Sequence, residues 1–516
     1  MKTIFTLLIA CLVFSSCGDF LEERSMELVY ATSCSDLDEI LIGNGYMANK
    51  SSYSPIGSIN DYYYSWLFTM DDDVEEYAST GVSNNSVIRK FRPFYSWTKD
   101  PFLNTETGKT VDDACWEKLY EHISIVNLII EQVKNFPHDS LKLQNRVKGE
   151  ALFLRGTYYY LLINFYAPPY TRENCDQDLG VPLKLTEYVE DVYFTRDVSA
   201  RVYQQIVMDL KESISCLEGI EQSTFYRGNV RAARLLLSRI YLYMGEWELA
   251  KEETRKLIEE EKVQLWDLNN KDWTDVKTSG VYDKKQHVLS LESPEILFTM
   301  GNAIMCKLMG TGSMYIVSSE LQEMYKNYPQ EVEDLRYKAF FSPLASSHSR
   351  FCARKNPASM TKANVFETFV LRAAEAYLNK AEAEAMLDDA NAISTLKNFM
   401  SKRFSKGNLP AIDHLKGKDL IEFIRAERRR EFCFEGQRWF DLRRYAVDSK
   451  YPTSEEIRHV VYESVGNTAM IDGAYVLKPY AEDAPAYTLP IPQQEIDFNK
   501  GAMVQNPERP EREKSN

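Results

Sequence analysis

Apolar side chains recur at helical spacing along most of the chain. Between residues 112 and 136 they return every three or four positions, at Trp116, Leu119, Ile123, Val126 and Ile130. This spacing gathers them on one face and predicts an amphipathic helix. A second helix is predicted from about residue 146, and it should end before Pro168 because proline cannot continue a helix. The same periodicity predicts a third helix over 199–218.

A further pattern predicts a pair of packed helices. Leu237, Tyr241, Gly245 and Ala250 stand at the relative steps of a tetratricopeptide hairpin, with glycine in the tight turn and alanine where the helices approach. Any helix hairpin uses glycine and alanine, but four matches in register favour the repeat. Residues 371–400 predict a second hairpin with a weaker match. The fold class is therefore predicted to be mainly α.

Two segments lack helical periodicity. Residues 36–110 contain a short predicted helix near Leu37–Met47 and then a stretch rich in Tyr, Asp, Asn and Ser. Residues 262–365 are polar, contain glycines and carry scattered aromatic side chains. A non-helical insertion of this size in a helical protein is a usual place for a binding site.

The first residues predict export and lipid attachment. Ile4–Phe14 is an almost unbroken apolar run that would rise only about 16 Å as a helix, too short to span a bilayer. The segment Phe14-Ser15-Ser16-Cys17 resembles a bacterial lipobox. We therefore expect a signal peptide over 1–16, lipidation at Cys17 and a tether over 17–35. The alternative is a soluble secreted protein in which Cys17 is incidental.

Composition excludes several classes of function. The net charge of −15 makes nucleic acid and anionic lipid unlikely partners. The nine cysteines are scattered and contain no CxxC, which argues against a disulfide framework or a structural zinc site. Aromatic residues make up 12% of the chain and suit both core packing and stacking on sugars. No metal or cofactor is predicted.

Basic and acidic residues alternate densely over 418–446. Pairs three residues apart, such as Arg428 with Glu431 and Arg438 with Asp441, could interact across one helical turn. Gly436 could end one helix and begin another. Because glutamates are interleaved with the arginines in an acidic chain, we interpret the segment as a set of internal ion pairs and not as a nucleic-acid contact.

This segment also carries a family resemblance. "IRAERRREFCFEGQRWFDLRR" resembles the signature of the SusD/RagB family of outer-membrane nutrient-binding lipoproteins. Five more segments match in order: "DDACWEKLYEHISIVNLII", "ALFLRGTYYYLLINFYAPPY", "ESPEILFTM", "FVLRAAEAYLNKAEAEA" and "LPIPQQEIDFNKGAMVQNP". One departure from the family is the end of the chain: the family often closes with Asn-Pro-Gly-Tyr, whereas here Asn506-Pro507 is followed by "ERPEREKSN".

The resemblance implies a SusD-like body with tetratricopeptide-like hairpins over 36–516. Within it we expect loop-rich and helical parts to about residue 260, an irregular binding region over about 262–365, and C-terminal helices and tail over 366–516. The resemblance also gives structural roles to the matched motif residues, which are Glu427, Arg428, Glu431, Gly436, Trp439 and Asp441.

Candidate ligand contacts come from composition, because no family motif transfers them. Exposed aromatic rings can cover the C–H face of a sugar, and neighbouring polar groups can bond its hydroxyls. The candidates are Tyr63, Trp66, Trp97, Trp273, Tyr282 and Tyr315. Trp273 and Tyr282 are expected to be the most exposed, since Asn, Asp, Lys and Gly surround them. A typical tryptophan is nevertheless largely buried without any ligand.

The resemblance implies a non-catalytic function at the cell surface. The protein would capture glycans, or sometimes peptides, and pass them to a SusC-type TonB-dependent transporter in the outer membrane. The alternatives are a surface glycoside hydrolase, which needs only two suitably spaced carboxylates, and a tetratricopeptide adaptor that binds protein. The sequence contains no HExxH, no GxSxG and no P-loop to support an enzyme.

Overall fold

The computed structural model describes residues 31–49, 58–79, 85–104, 107–278, 280–309 and 315–515. The predicted signal peptide, Cys17 and most of the predicted tether lie outside the described residues. Among the described helices, none combines the length and the apolar character needed to cross a membrane.

The described residues form a mainly α-helical fold, as predicted. Most of the long helices lie in the segments where apolar residues recur at helical spacing. The α-helices are α1 Cys34–Ile40, α2 Ser86–Tyr95, α3 Ala114–Gln132, α4 Leu141–Tyr166, α5 Ser199–Leu217, α6 Val230–Tyr243, α7 Trp247–Arg255, α8 Met305–Leu308, α9 Ser319–Met324, α10 Leu335–Phe340, α11 Ala373–Met386, α12 Ala392–Met400, α13 Gly417–Phe432, α14 Arg438–Ala446, α15 Tyr480–Asp483 and α16 Gln493–Phe498.

Helices α3, α4 and α5 pack side by side in the N-terminal half. The Asp113 side chain caps α3 by accepting from the Cys115 N–H at 3.1 Å, and the Ser140 side chain caps α4. Helix α4 is buried along nearly its whole C-terminal part. It approaches α5 closely at Gly149, where an added Cβ would lie 2.7 Å from Leu217.

The two predicted helix hairpins are α6–α7 and α11–α12. Gly245 forms the first turn with φ +70°, while Tyr241 and Ala250 are buried between the helices. Helix α7 also packs against α11, so the two hairpins stack on each other. This stacking is the arrangement that tetratricopeptide repeats use to bury a shared core.

Twelve short strands pair in antiparallel twos within the described residues. Half of them fall in 262–365, the segment without helical periodicity, which also holds α8, α9 and α10. The strands are β1 Val74–Glu76, β2 Leu103–Asn104, β3 Lys109–Thr110, β4 Asp275–Thr278, β5 Val281–Lys284, β6 Ile296–Met300, β7 Tyr315–Val317, β8 Phe341–Leu344, β9 Ser347–Ala353, β10 Phe369–Arg372, β11 Ile457–Val465 and β12 Thr468–Leu477.

Four of these pairs lie next to one another. Strand β1 pairs with β7. Strand β11 of the β11–β12 pair contacts β1, β7 contacts β9 of the β8–β9 pair, and β8 contacts β5 of the β4–β5 pair. We call this series of pairs the β row. It brings the N-terminal loop-rich segment, the irregular segment and a C-terminal hairpin onto one side of the molecule.

The charged motif of α13 and α14 lies in the interior. Glu431 is fully buried and accepts from Arg403 at 2.9 Å and from Arg372 at 2.6 Å. Arg336 donates to Glu427 at 2.8 Å. The segment therefore forms internal ion pairs and lies away from any nucleic-acid surface.

The specific pairs expected from the three-residue spacing are wrong. Arg428 donates to Asn379 at 2.6 Å, on α11, while Glu431 faces arginines from other elements. Arg438 pairs with Asp72 at 2.7 Å, and Asp441 accepts from Arg444. Buried side chains take partners from the elements packed against them, whereas the three-residue rule describes pairs on a helix surface.

Gly436 lies between two helices, as predicted, and Trp439 lies in the interior. Gly436 has φ +71°, in the left-handed region that favours glycine, and it joins α13 to α14. Trp439 is buried and stacks on Tyr487 with ring centroids 5.5 Å apart. Trp439 thus holds α14 against the C-terminal segment.

Candidate ligand-binding site

Three of the predicted ligand residues lie in the core of the N-terminal segment. Trp66 is fully buried and stacks on Phe94 at 5.1 Å. Trp97 is fully buried, and its Nε1–H donates to the Met70 carbonyl at 2.9 Å. The hydroxyl of the buried Tyr63 accepts from the Ala48 N–H. None of these rings offers a face to a ligand in this structure.

Trp273 and Tyr315 are buried as well. The expectation that Trp273 is exposed is wrong, because only 9% of the residue reaches solvent and its Nε1–H donates to the Leu268 carbonyl at 2.9 Å. Tyr315 lies in β7 and packs against Tyr95 with ring centroids 5.4 Å apart. Polar neighbours in the sequence suggested a surface position for Trp273, but the tertiary fold places both rings inward.

Tyr282 is the one predicted aromatic residue that stays half-exposed. It lies on β5 at one end of the β row, with the Lys277 ammonium 5.4 Å from its ring centroid. Its hydroxyl is 3.4 Å from Nε2 of His348 on β9. Tyr282 remains a predicted ligand contact.

A polar cleft of about 560 Å³ opens beside the β row. Its walls come from β1, α9, α13, α14 and residues 453–459. These segments are far apart in the sequence and meet only because the β1–β7 pair lies against the C-terminal helices. We call it the cleft.

The floor of the cleft is an ion-pair cluster. Asp72 accepts two hydrogen bonds of 2.7 Å from Arg438 and lies 3.1 Å from Arg429. Burial acts to raise the pKa of Asp72, but the two guanidinium groups outweigh it and hold the pKa well below its usual range. Asp72 is therefore an anion at all physiological pH values and offers acceptor oxygens to the cleft.

The rim of the cleft is acidic and contains one buried donor. Glu320, Glu422, Glu455 and Glu456 are exposed around the opening. Arg425 is buried, and no side chain or carbonyl of the described residues accepts from its Nε–H. Its guanidinium lies 3.2 Å from Asp448 and donates to the Tyr451 carbonyl at 2.6 Å, so Arg425 holds the wall together. Asp72 and the rim glutamates offer acceptor oxygens to hydroxyl groups.

Glu75 connects the cleft to the β row. Its carboxylate is 3.0 Å from Arg350 of β9, and it accepts from the Ser319 N–H at 3.0 Å. The Tyr462 N–H of β11 donates to Glu76, the residue after Glu75, at 3.1 Å. Burial and the charge of Glu75 raise the pKa of the Tyr462 hydroxyl, while Arg350 opposes them. Glu75, Arg350 and Tyr462, which we call the cleft-edge triad, are all partly exposed.

One group of carboxylates has the donor set of a cation site. Asp71, Asp72 and Asp73 bring oxygens within 4.8 Å of one another. Arg429 lies 3.0 Å from Asp73, however, and also contacts Asp72, as does Arg438. Two guanidinium groups already balance this negative charge, so we interpret the group as part of the internal ion-pair cluster.

Carboxyl groups with near-neutral pKa values lie out of reach of a substrate. Burial raises the pKa of Asp73 and Asp113 to about 6 and that of Glu367 to about 7. All three are buried in the interior. A general acid must contact the bond that it protonates, so these groups do not form a glycosidase site in this structure.

Two family models match the chain. One is described as the SusD family and matches residues 315–508. The other is described as starch-binding associating with outer membrane and matches residues 58–242. The chain belongs to the SusD/RagB family. In this SusD-family chain both matched segments contribute walls of the cleft, the first through β1 and the second through α9, α13, α14 and residues 453–459.

Curated and solved relatives agree with this assignment. "SusD-like protein P38" of Formosa agariphila is 23% identical over 398 residues, covering 67% of this chain and 75% of that protein. Two solved structures share the SusD fold. A putative sugar binding protein from Bacteroides vulgatus superposes with a TM-score of 0.68 at 24% identity, covering 94% of this chain and 100% of that one. Surface glycan-binding protein A from Bacteroides uniformis superposes with a TM-score of 0.65 at 16% identity, covering 92% of this chain and 99% of that one.

Sequence reasoning did not find the cleft-edge triad of this SusD-family protein. The outward position of Tyr462 could have been inferred from its strand, since β11 alternates buried Ile457, His459 and Val461 with outward-facing residues. Glu75 and Arg350 had none, because their proximity depends on the contact of β7 with β9.

Proposed function

We propose that this SusD/RagB protein is a non-catalytic glycan-binding lipoprotein of the cell surface. It is anchored in the outer membrane through Cys17 and delivers its ligand to a SusC-type TonB-dependent transporter. The observation that carries the binding role is the junction of the cleft with the cleft-edge triad. Glu75 lines the cleft and pairs with the partly exposed Arg350, and the partly exposed Tyr462 lies on the neighbouring strand β11.

The chemistry of this junction suits an oligosaccharide. The ring of Tyr462 can cover the apolar face of a sugar, while Arg350 donates to hydroxyl groups and Glu75 accepts from them. Because Arg350 and Glu75 already hold each other, they are positioned before the ligand arrives. The cleft then has room for further sugar residues.

The positions of the ionisable groups around the cleft support the proposed absence of catalysis. Within the cleft, Asp72 is paired with Arg429 and Arg438, and its lowered pKa removes it as a proton donor. The rim glutamates are solvated. A carboxylate that is held ionised in an ion pair does not serve as the general acid that glycoside hydrolysis uses.

A peptide is the second candidate ligand. The exposed glutamates of the rim would attract lysine and arginine side chains more strongly than they would attract a neutral glycan. A basic peptide would bind with marked salt dependence, whereas a neutral glycan would not. Comparing affinities at low and high salt therefore separates these two ligand classes.

The binding site can be tested with paired variants. Affinity gels that contain candidate polysaccharides first identify a retained glycan. We expect Arg350→Ala combined with Tyr462→Ala to weaken retention at least tenfold, because loss of about 2 kcal/mol of stacking and hydrogen bonding corresponds to more than a factor of ten. Both side chains are partly exposed, so the variant should keep the unfolding temperature of the parent.

Tyr282→Ala tests the remaining aromatic residue predicted from the sequence as a ligand contact. It removes an aromatic ring of similar exposure from the other end of the β row. If Tyr282→Ala abolishes retention and the double variant does not, the ligand surface lies at the β5 end and the assignment to the cleft-edge triad is wrong.

A further inference from the structure

Exposed apolar side chains concentrate on one surface of the described chain. Residues 185–193, which we call the apolar loop, carry Leu185, Tyr188, Val189, Val192 and Tyr193, all large and exposed. Phe498 and Val504 add to the same surface. The Phe194 N–H donates to Asn499 Oδ1 at 2.7 Å, and Arg196 donates to the Val504 carbonyl at 3.2 Å. Together these are seven of the sixteen large apolar residues that are exposed in the described ranges.

The apolar loop projects from the fold. Its two ends are held together, since the Gly180 N–H donates to the Asp197 carbonyl at 2.7 Å and the Leu183 N–H donates to the Asp197 side chain at 2.8 Å. Val189, near the middle of the loop, is 97% exposed. An apolar segment displayed in this way is costly in water and indicates a contact surface.

The apolar loop contacts the C-terminal end of α3, and the first described residues of the chain lie near that same end. The Asn127 side chain donates to the Lys184 carbonyl at 2.8 Å, and one turn and a half further along α3 Gln132 donates to Glu187 at 2.8 Å. The loop therefore continues past the C-terminal end of α3. At that same end the Cys34 N–H donates to Asp139 at 2.6 Å.

This location relates the apolar loop to the membrane, and this step rests on the proposed lipidation of Cys17. Cys17 precedes Ala31 by fourteen residues. Such a segment spans at most about 50 Å when fully extended. The end of the molecule that carries the apolar loop would then stay within about 50 Å of the bilayer that also holds the transporter.

The charges of the apolar loop favour a protein over a lipid surface. Glu187, Glu190 and Asp191 alternate with its apolar residues, and Lys184 is engaged by Glu190 at 3.2 Å. An anionic lipid surface would repel this segment. An apolar recess bordered by lysine or arginine would complement it.

We propose that the apolar loop, with Phe498 and Val504, docks into an apolar, basic-rimmed recess on the extracellular side of the SusC-type transporter. The apolar residues supply the buried contact, and the three acidic residues fix its orientation. None of these residues lines the cleft.

The test compares two charged double variants of the full-length protein in its native host. Val189→Asp with Val192→Asp alters the apolar loop. Met470→Asp with Ile471→Asp makes the same change at an exposed apolar pair on β12. Each tagged protein is purified from outer membranes in mild detergent, and the recovered partner is identified and quantified by mass spectrometry. We expect the wild type and the β12 variant to recover a TonB-dependent transporter, and the loop variant to recover at least tenfold less.

Glycan retention and membrane fractionation of each variant complete the test. The loop variant should bind glycan and fractionate with the outer membrane like the wild type. Equal recovery of the transporter by the loop variant would overturn the docking surface alone, and so would an equal loss in the β12 variant. Release of the loop variant from the membrane would show a lipid contact instead and would also overturn it. Failure of the wild type to recover any transporter would overturn the delivery role together with the docking surface.

Discussion

Among single residues, Glu431 shows how charges are kept in the interior. It is fully buried, with Arg403 and Arg372 in hydrogen-bond contact and Arg336 at 3.4 Å. Burial acts to raise its pKa, but these three guanidinium groups hold the pKa well below its usual range. Removing the negative charge would leave the arginines without sufficient compensation in a medium of low polarity.

We predict that Glu431→Gln lowers the free energy of unfolding by about 3–5 kcal/mol, the usual cost of breaking a buried ion pair. Urea denaturation of the purified protein at pH 7 measures this change. The wild-type contribution of Glu431 should be present above pH 4.5 and be lost as pH falls toward its lowered pKa, because a depressed pKa stabilises the fold only while the group is ionised.

Glu422→Gln is the matched control on the same helix. Glu422 is exposed and lies 3.4 Å from Lys418, so its loss should change stability by no more than about 0.5 kcal/mol. Equal effects of the two substitutions would contradict the structural role that we give to Glu431.

Local sequence patterns predicted the kind of interaction but not the environment of individual side chains. The alternation of arginine and glutamate correctly indicated internal ion pairs, but Glu431 is compensated by Arg336, Arg372 and Arg403, which are distant in sequence. Trp273 has polar sequence neighbours and yet is buried. In both cases the environment of the side chain is set by elements that a local pattern does not contain.

Secondary-structure elements divide into those that the sequence predicts and those that it does not. Helices such as α3 and the α6–α7 hairpin follow from apolar spacing and from Gly245. The β row does not, because its strands are short and find distant partners, as when Val74 pairs with Val317. A strand of three residues has too little periodicity to be recognised without its partner.

The β6–β10 pair provides a test at this scale. Gly301 follows β6 with φ +90°, and an added Cβ would lie 2.8 Å from Thr368 Cβ, just before β10. We expect Gly301→Ala to lower the free energy of unfolding by about 3 kcal/mol, combining backbone strain with a steric clash. Thermal or urea denaturation measures the change.

Gly280 separates the two contributions. It has φ +81°, but nothing lies within 4 Å of the position that its Cβ would occupy. Gly280→Ala should therefore cost only the strain of the left-handed backbone, about 1 kcal/mol. If the two variants were equally stable, close packing of the β6–β10 pair against Thr368 would not be what requires glycine at 301.

The whole molecule consists of a packed interior and two surfaces with proposed functions. Stacked helix hairpins and buried ion pairs hold the C-terminal helices against the β row. The cleft and the cleft-edge triad form the proposed ligand surface, and the apolar loop forms the proposed docking surface. The helical scaffold and the family could be predicted from the sequence. Both surfaces could not, because they arise from segments that meet only in the folded chain.

The central claim is that the protein binds a glycan at the cleft and leaves it intact. Isothermal titration calorimetry with a retained oligosaccharide, followed by chromatography of the recovered ligand, tests both parts in one sample. The account predicts saturable binding with a favourable enthalpy, at least a tenfold loss of affinity in the Arg350→Ala, Tyr462→Ala variant, and recovered oligosaccharide of unchanged length. Shortened oligosaccharide that depends on the protein, or undiminished affinity in the double variant, would contradict it.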